Sequence, residues 1–63
     1  MKINRINILI NYAENKHKPY LNNEILALMQ RYHFGGEFKR DTIKLSGAPE
    51  VVGRILKRLD IRI

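Results

Sequence analysis

Residues 35–50 read Gly-Gly-Glu-Phe-Lys-Arg-Asp-Thr-Ile-Lys-Leu-Ser-Gly-Ala-Pro-Glu, and this stretch decides the fold. From Glu37 the apolar positions follow a period of two, Phe38 and then Ile43 and Leu45, with charged residues between them. That is the spacing of strands with one buried face. Arg40-Asp41 suits a tight turn, although it lacks the glycine that two-residue hairpin loops favour. Two short antiparallel strands are therefore predicted, with one longer irregular strand as the competing reading. Ser46-Gly47-Ala48-Pro49-Glu50 then starts a helix, with a serine near the cap position, proline in the first turn and an acid beside it.

On either side lie two amphipathic helices. Downstream, Val51, Val52, Ile55, Leu56 and Leu59 form one apolar stripe. Upstream, Leu21, Ile25, Leu28 and Tyr32 recur at intervals of four, three and four. Pro19 fits the first turn of that upstream helix, with Asn22 or Asn23 as a later cap. Gly35-Gly36 offers a left-handed stop, preceded by His33 and Phe34. Further upstream, Ile3 to Tyr12 alternates, with Ile6, Ile8, Ile10 and Tyr12 on one face and Arg5, Asn7 and Asn11 on the other. Leu9 is the one interruption, and a strand is predicted. Residues 13–18 are polar and aperiodic and read as a loop. Asp60-Ile61-Arg62-Ile63 alternates again, as a last short strand.

The order is β-α-β-β-α-β. The expected fold is α+β, a ferredoxin-like (split βαβ) sandwich with both helices on one sheet face, or a version truncated by one edge strand. The 63 residues make a single domain, 1–63, with a small core. A homodimer or hetero-complex that covers an edge is accordingly expected. The longest apolar run, Ile25 to Met29, is far short of a membrane span. Lys2 and Arg5 are followed by no signal-peptide pattern, so a cytoplasmic protein with no membrane partner is the default. Asparagine crowds the first third, at 4, 7, 11, 15, 22 and 23.

Catalysis finds little support. Cysteine is absent, which removes thiolate nucleophiles, disulfides and thiolate metal sites. The six acids are scattered, and Glu24 and Glu50 sit where a helix N-terminus favours an anion. Ser46 is better explained as a cap than as a nucleophile. His17 and His33 lack metal-ligand spacing. Gly35-Gly36 is not followed by the Lys-Ser/Thr of a phosphate loop. No enzyme activity, no cofactor and no metal are expected. Gly53, inside the second helix on its outer flank, costs about 1 kcal/mol relative to alanine.

The basic residues are the informative feature: 12 Lys+Arg against 6 Asp+Glu, a formal charge of +6. If the helices cover one sheet face, alternation gathers Arg5, Asn7, Asn11, Lys39, Thr42, Lys44 and Arg62 on the other. Lys16 and Lys18 lie in the nearby loop. Arg54, Lys57 and Arg58, three and four apart, make a second ridge on the last helix. Such groups neutralise phosphates and release counterions, which gives sequence-independent affinity. Solvation of an open sheet and complementing of a helix dipole are the plainer explanations.

The aromatic residues fall on apolar stripes or at helix ends, so base stacking on the sheet is not expected. Phe34-Gly35-Gly36 followed by Ile43-Lys44-Leu45-Ser46-Gly47 and a helix faintly resembles the part of LAGLIDADG homing endonucleases that follows their acidic motif. The acidic helix is absent, so no nuclease activity carries over. The expected function is a small non-catalytic nucleic-acid-binding protein, accessory or regulatory, acting through charge and shape. The alternative is a protein-binding module, such as a phage- or plasmid-type inhibitor or a small subunit docking on an acidic or nucleic-acid-mimicking surface of a larger enzyme.

Overall fold

A computed structural model describes residues 4–63. It contains three strands, β1 (Ile6–Asn11), β2 (Gly35–Phe38) and β3 (Thr42–Gly47), and two helices, α1 (Leu21–Met29) and α2 (Pro49–Leu59). The sheet order is β1-β3-β2, and both neighbouring pairs are antiparallel. The predicted start of the first strand at Ile3 lies outside the described residues.

Alternation places the core. Ile10 pairs with Ile43 and Ile8 with Leu45 on one sheet face, and Leu21 and Ile25 of α1 and Ile55 and Leu59 of α2 close over them. Ile10, Ile25, Ile43, Leu45, Val52, Ile55 and Leu59 are wholly shielded from solvent. Both helices thus share one layer against one face. Removing that much apolar surface from water is the main force holding so short a chain together.

The hairpin forms as the alternation implies. Lys39 N–H donates to the Thr42 carbonyl (2.8 Å), leaving Arg40-Asp41 as the two-residue loop. Pro49 opens α2, where its missing N–H costs nothing. Ser46 is not the cap: the cap residue is Ala48, and Ser46 still belongs to β3, on the face away from the helices. At its other end α2 is stopped by Asp60 in the left-handed conformation (φ 54°, ψ 54°).

Other expectations are corrected. The glycine pair does not end the first helix. α1 stops at Met29 and unwinds through Gln30 N–H to the Ala27 carbonyl (3.3 Å) and Arg31 N–H to that of Leu28 (3.0 Å). Gly35 and Gly36 instead open β2, where the side chains of Ser46 and Met29 approach them closely. A Cβ on Gly35 would lie 2.8 Å from Ser46 Oγ, and one on Gly36 3.1 Å from Met29 Sδ. Pro19 precedes α1 rather than entering it, and Tyr20 is the cap residue. The polar stretch after β1 is a 3-10 turn, Tyr12–Asn15, capped by the Asn11 side chain, which accepts from Ala13 N–H (2.9 Å).

The largest correction concerns the last strand. Residues 60–63 form none. The Asn15 carboxamide takes the main chain of Arg62 at both ends, accepting from its N–H (2.6 Å) and donating to its carbonyl (2.7 Å). Asn15 Nδ2 also donates to the Asn11 carbonyl (2.8 Å). A side chain therefore occupies the groups that a ladder with β1 would need.

Candidate functional site

Two surfaces carry the basic residues that the sequence singles out. The first is the open sheet face. Asn7 faces Ser46, Leu9 faces Lys44, and Asn11 faces Thr42; across the other ladder Lys44 faces Glu37. Lys44 Nζ sits 3.0 Å from Glu37 Oε2. The hydrogen bond and the charge of Lys44, with a smaller contribution from Lys39, hold the Glu37 carboxyl below its ordinary pKa. The only lysine within these strands is thereby paired with an acid on the neighbouring strand. Beside it Leu9 is 58% exposed, so the centre of this face is an ion pair next to an apolar side chain. Arg5 is exposed just before β1. Arg62, expected on this face, is not in the sheet.

The second surface is the outer side of α2. Burial of Val52, Ile55 and Leu59 fixes the helix's rotation, which leaves Gly53, Arg54, Lys57 and Arg58 exposed. Residues three and four apart are neighbours on a helix surface, so Arg54 has Lys57 and Arg58 beside it. The ion pairs among the described residues are Lys44–Glu37 and Lys18–Glu24 (3.1 Å), and neither involves α2. Arg58 also borders a shallow groove of about 230 Å³ between the helices, with Glu24, Ala27, Leu28 and Leu59.

Long-range contacts extend this ridge at its C-terminal end. His17 Nε2 lies 3.2 Å from the Asp60 carbonyl oxygen, and Asn15 holds Arg62. The basic loop and the chain after α2, more than forty residues apart in sequence, are thus joined there. Of the residues picked out from sequence, Arg54, Lys57, Arg58, Lys16 and Arg62 gather around α2 and its end. Asn7 and Lys44 lie on the opposite side of the sheet, Arg5 leads into it, and Lys18 is engaged with Glu24.

Asn15 was not among the residues singled out, yet among the described residues it is the buried polar one, 2% exposed. Nothing in its local sequence, a run of polar residues, sets it apart. The Glu37–Lys44 pair was within reach: an Arg40-Asp41 loop pairs residues whose numbers sum to 81, which opposes 37 to 44.

A cleft of about 290 Å³ lies at the start of α1, lined by Tyr12, Lys18 and residues 19–23, with the Tyr12 hydroxyl donating to Asn22 Oδ1 (2.6 Å). Among the described residues no group of three or more His, Cys, Asp or Glu is placed to hold a metal ion. No helix there is long and apolar enough to cross a membrane. The chain matches no family model, no curated protein and no solved structure.

Proposed function

We propose that this is a small non-catalytic protein that binds nucleic acid through its phosphate backbone, using the outer ridge of α2. One observation carries the reading. Arg54, Lys57 and Arg58 are exposed and free of ion pairs on a helix whose rotation is fixed by buried Val52, Ile55 and Leu59. Cations on a rigid element need no backbone ordering on meeting phosphates, and each contact releases counterions. The backbones of Lys16 and Arg62 lie near the C-terminal end of α2, through the His17–Asp60 and Asn15–Arg62 contacts, and both residues are exposed there.

The open sheet face, the stronger candidate from sequence, is the weaker one in three dimensions. Its lysine is paired and its central neighbour is leucine. A face meant for phosphates gains nothing from either feature. Some of the α2 charge has a structural use as well, since Lys57 and Arg58 lie in the last turn, where the helix dipole favours cations. Arg54, in mid-helix, has no such role.

The strand order β1-β3-β2 with both helices on one face supports reading the fold as a ferredoxin-like sandwich that lacks the strand outside β1.

The test is the salt dependence of binding to a short labelled duplex. Arg54→Gln, Lys57→Gln and Arg58→Gln together should lower affinity at low salt on the order of tenfold to a hundredfold. The slope of log K against log salt should flatten by about 0.9 per lost phosphate contact. Lys44→Gln should leave both unchanged. A loss confined to Lys44→Gln, or no binding of duplex or single strand at low salt, contradicts the proposal.

A further inference from the structure

β1 is an outer strand of the sheet, and its ladder reveals which main-chain groups face outward. Tyr12 N–H donates to the Asp41 carbonyl (3.1 Å), one pair beyond Asn11↔Thr42. Hydrogen-bonded pairs alternate in an antiparallel ladder, so Ile10↔Ile43, Ile8↔Leu45 and Ile6↔Gly47 are the bonded ones. The Lys39 N–H bond to the Thr42 carbonyl gives β3 the same phase from its other side. Asn7, Leu9 and Asn11 therefore turn their N–H and C=O groups toward the free edge. The Asn11 carbonyl behaves accordingly, since it is met there by Asn15 Nδ2. Among the described residues, the four main-chain groups of Asn7 and Leu9 have no partner.

The two outer strands differ in how they are protected. β2 is four residues long, begins with two glycines, carries Glu37 and runs into Lys39-Arg40. Short length and charge are common ways of blunting an edge. β1, Ile-Asn-Ile-Leu-Ile-Asn, is six residues long with no charge, proline or glycine. Its inward-facing Ile6 and Ile8 remain half-buried at the rim of the core, and Leu9 is exposed on the other face.

We infer that β1 pairs with β1 of a second copy of this chain, antiparallel about Ile8. The edge is its own complement. With Ile8 opposite Ile8 of the second copy, Asn7 meets Leu9 and Leu9 meets Asn7, and each pair exchanges two main-chain hydrogen bonds. Those four bonds use the four free groups and leave the Asn11 carbonyl with Asn15. The same register sets the half-buried Ile8 against Ile8 of the other copy and Ile6 beside the already buried Ile10, so the apolar rims of the two cores adjoin and both helix layers lie on the same side. The interface is isologous and closes as a two-fold dimer. β1 itself carries no charge, so the paired strands oppose no like charges; the cations nearest the seam are Arg5, which falls opposite Asn11 of the other copy, and Arg62, held at that end by Asn15. The inference does not depend on nucleic-acid binding.

Sedimentation equilibrium of the full chain at physiological salt, from low micromolar to near-millimolar protein, tests it. Asn7 and Leu9 lie on the open sheet face, so charges there leave the core intact, and circular dichroism checks that they do. The wild-type chain should populate a dimer. Asn7→Lys with Leu9→Lys, or Asn7→Glu with Leu9→Glu, should weaken self-association by about tenfold, since like charges then face one another. Mixing the two double variants should restore a dimer containing one of each. A wild-type chain that stays monomeric throughout, or folded double variants that associate as well as wild type, would overturn the pairing. A mixture that fails to associate would overturn the Asn7–Leu9 register.

Discussion

The open sheet face and the outer side of α2 draw on the same pool of basic residues, and folding treats them differently. On the sheet, the neighbours of a lysine come from other strands. Lys44 meets Glu37 across one ladder and Leu9 across the other, and its charge is largely answered. On the helix, the neighbours of a cation are its own residues three and four positions away: Arg54 has Glu50 one turn before it, with which it makes no ion pair, and Lys57 and Arg58 one turn after. Counting charges along a chain therefore overstates a strand's contribution to a basic surface and estimates a helix's more faithfully.

The largest effect expected from probing this contrast comes at the end of α2, where one buried amide holds the chain. Asn15→Ala removes three hydrogen bonds and leaves the Arg62 N–H and the Arg62 and Asn11 carbonyls without their partner. It should cost about 1–3 kcal/mol in a denaturant titration. Asn15→Asp should recover only part of this, because a carboxylate can still accept from Arg62 N–H but cannot donate to either carbonyl. A midpoint unmoved by Asn15→Ala would mean that Arg62 and Lys16 are not held near the ridge by this side chain.

A smaller effect of opposite sign is expected at Gly53. Nothing lies within 4 Å of a Cβ built there. Gly53→Ala should therefore stabilise the protein by about 1 kcal/mol, the difference in helix propensity. Should a ligand lie close against the helix backbone beside Arg54, the same variant binds more weakly while melting higher. That opposition would sharpen the contrast in favour of the helix.

The smallest effect belongs to the sheet. Glu37 titrates below its ordinary value in the folded protein because Lys44 favours its charged form. Its contribution to stability is present above the ordinary carboxylate pKa and is lost as pH falls through the lowered one. Since Glu37 is at the surface, Glu37→Gln should barely move the melting temperature at neutral pH and should remove a small part of the acid-side decline. It also frees Lys44. If α2 is the binding surface, nucleic-acid affinity should then change by no more than about twofold. A larger gain would return the sheet face to consideration.

Much of the fold was legible in the residues. The period-two runs Ile6–Ile10 and Ile43–Leu45 and the stripe Val52–Ile55–Leu59 each turn their apolar face to the core, with Ile6 and Ile8 half-buried at its rim and the rest buried. Pro49 opens a helix because it is compatible with little else there. Arg62 was misplaced because alternation over four residues is too short to compete with a side chain. Asn15 satisfies the Arg62 main chain before β1 can, and that contact spans 47 positions of sequence. Gly35-Gly36 was misread because glycine serves both helix stops and close packing, and only the nearness of Ser46 and Met29 decides between them. Of the candidate site, the ridge was legible as spacing. The reasons for proposing it over the sheet face were not, because they rest on where Glu37 and Leu9 point.

The most direct test of the central claim is to follow each backbone amide of the labelled protein by heteronuclear NMR while a short duplex is added at low salt. The account predicts shifts concentrated at residues 53–58, with weaker changes at Lys16, His17 and Arg62, while Asn7, Thr42, Lys44 and Ser46 stay in place. Shifts that instead trace Asn7, Leu9, Lys44 and Ser46 across the open sheet, with residues 53–58 unmoved, would contradict it.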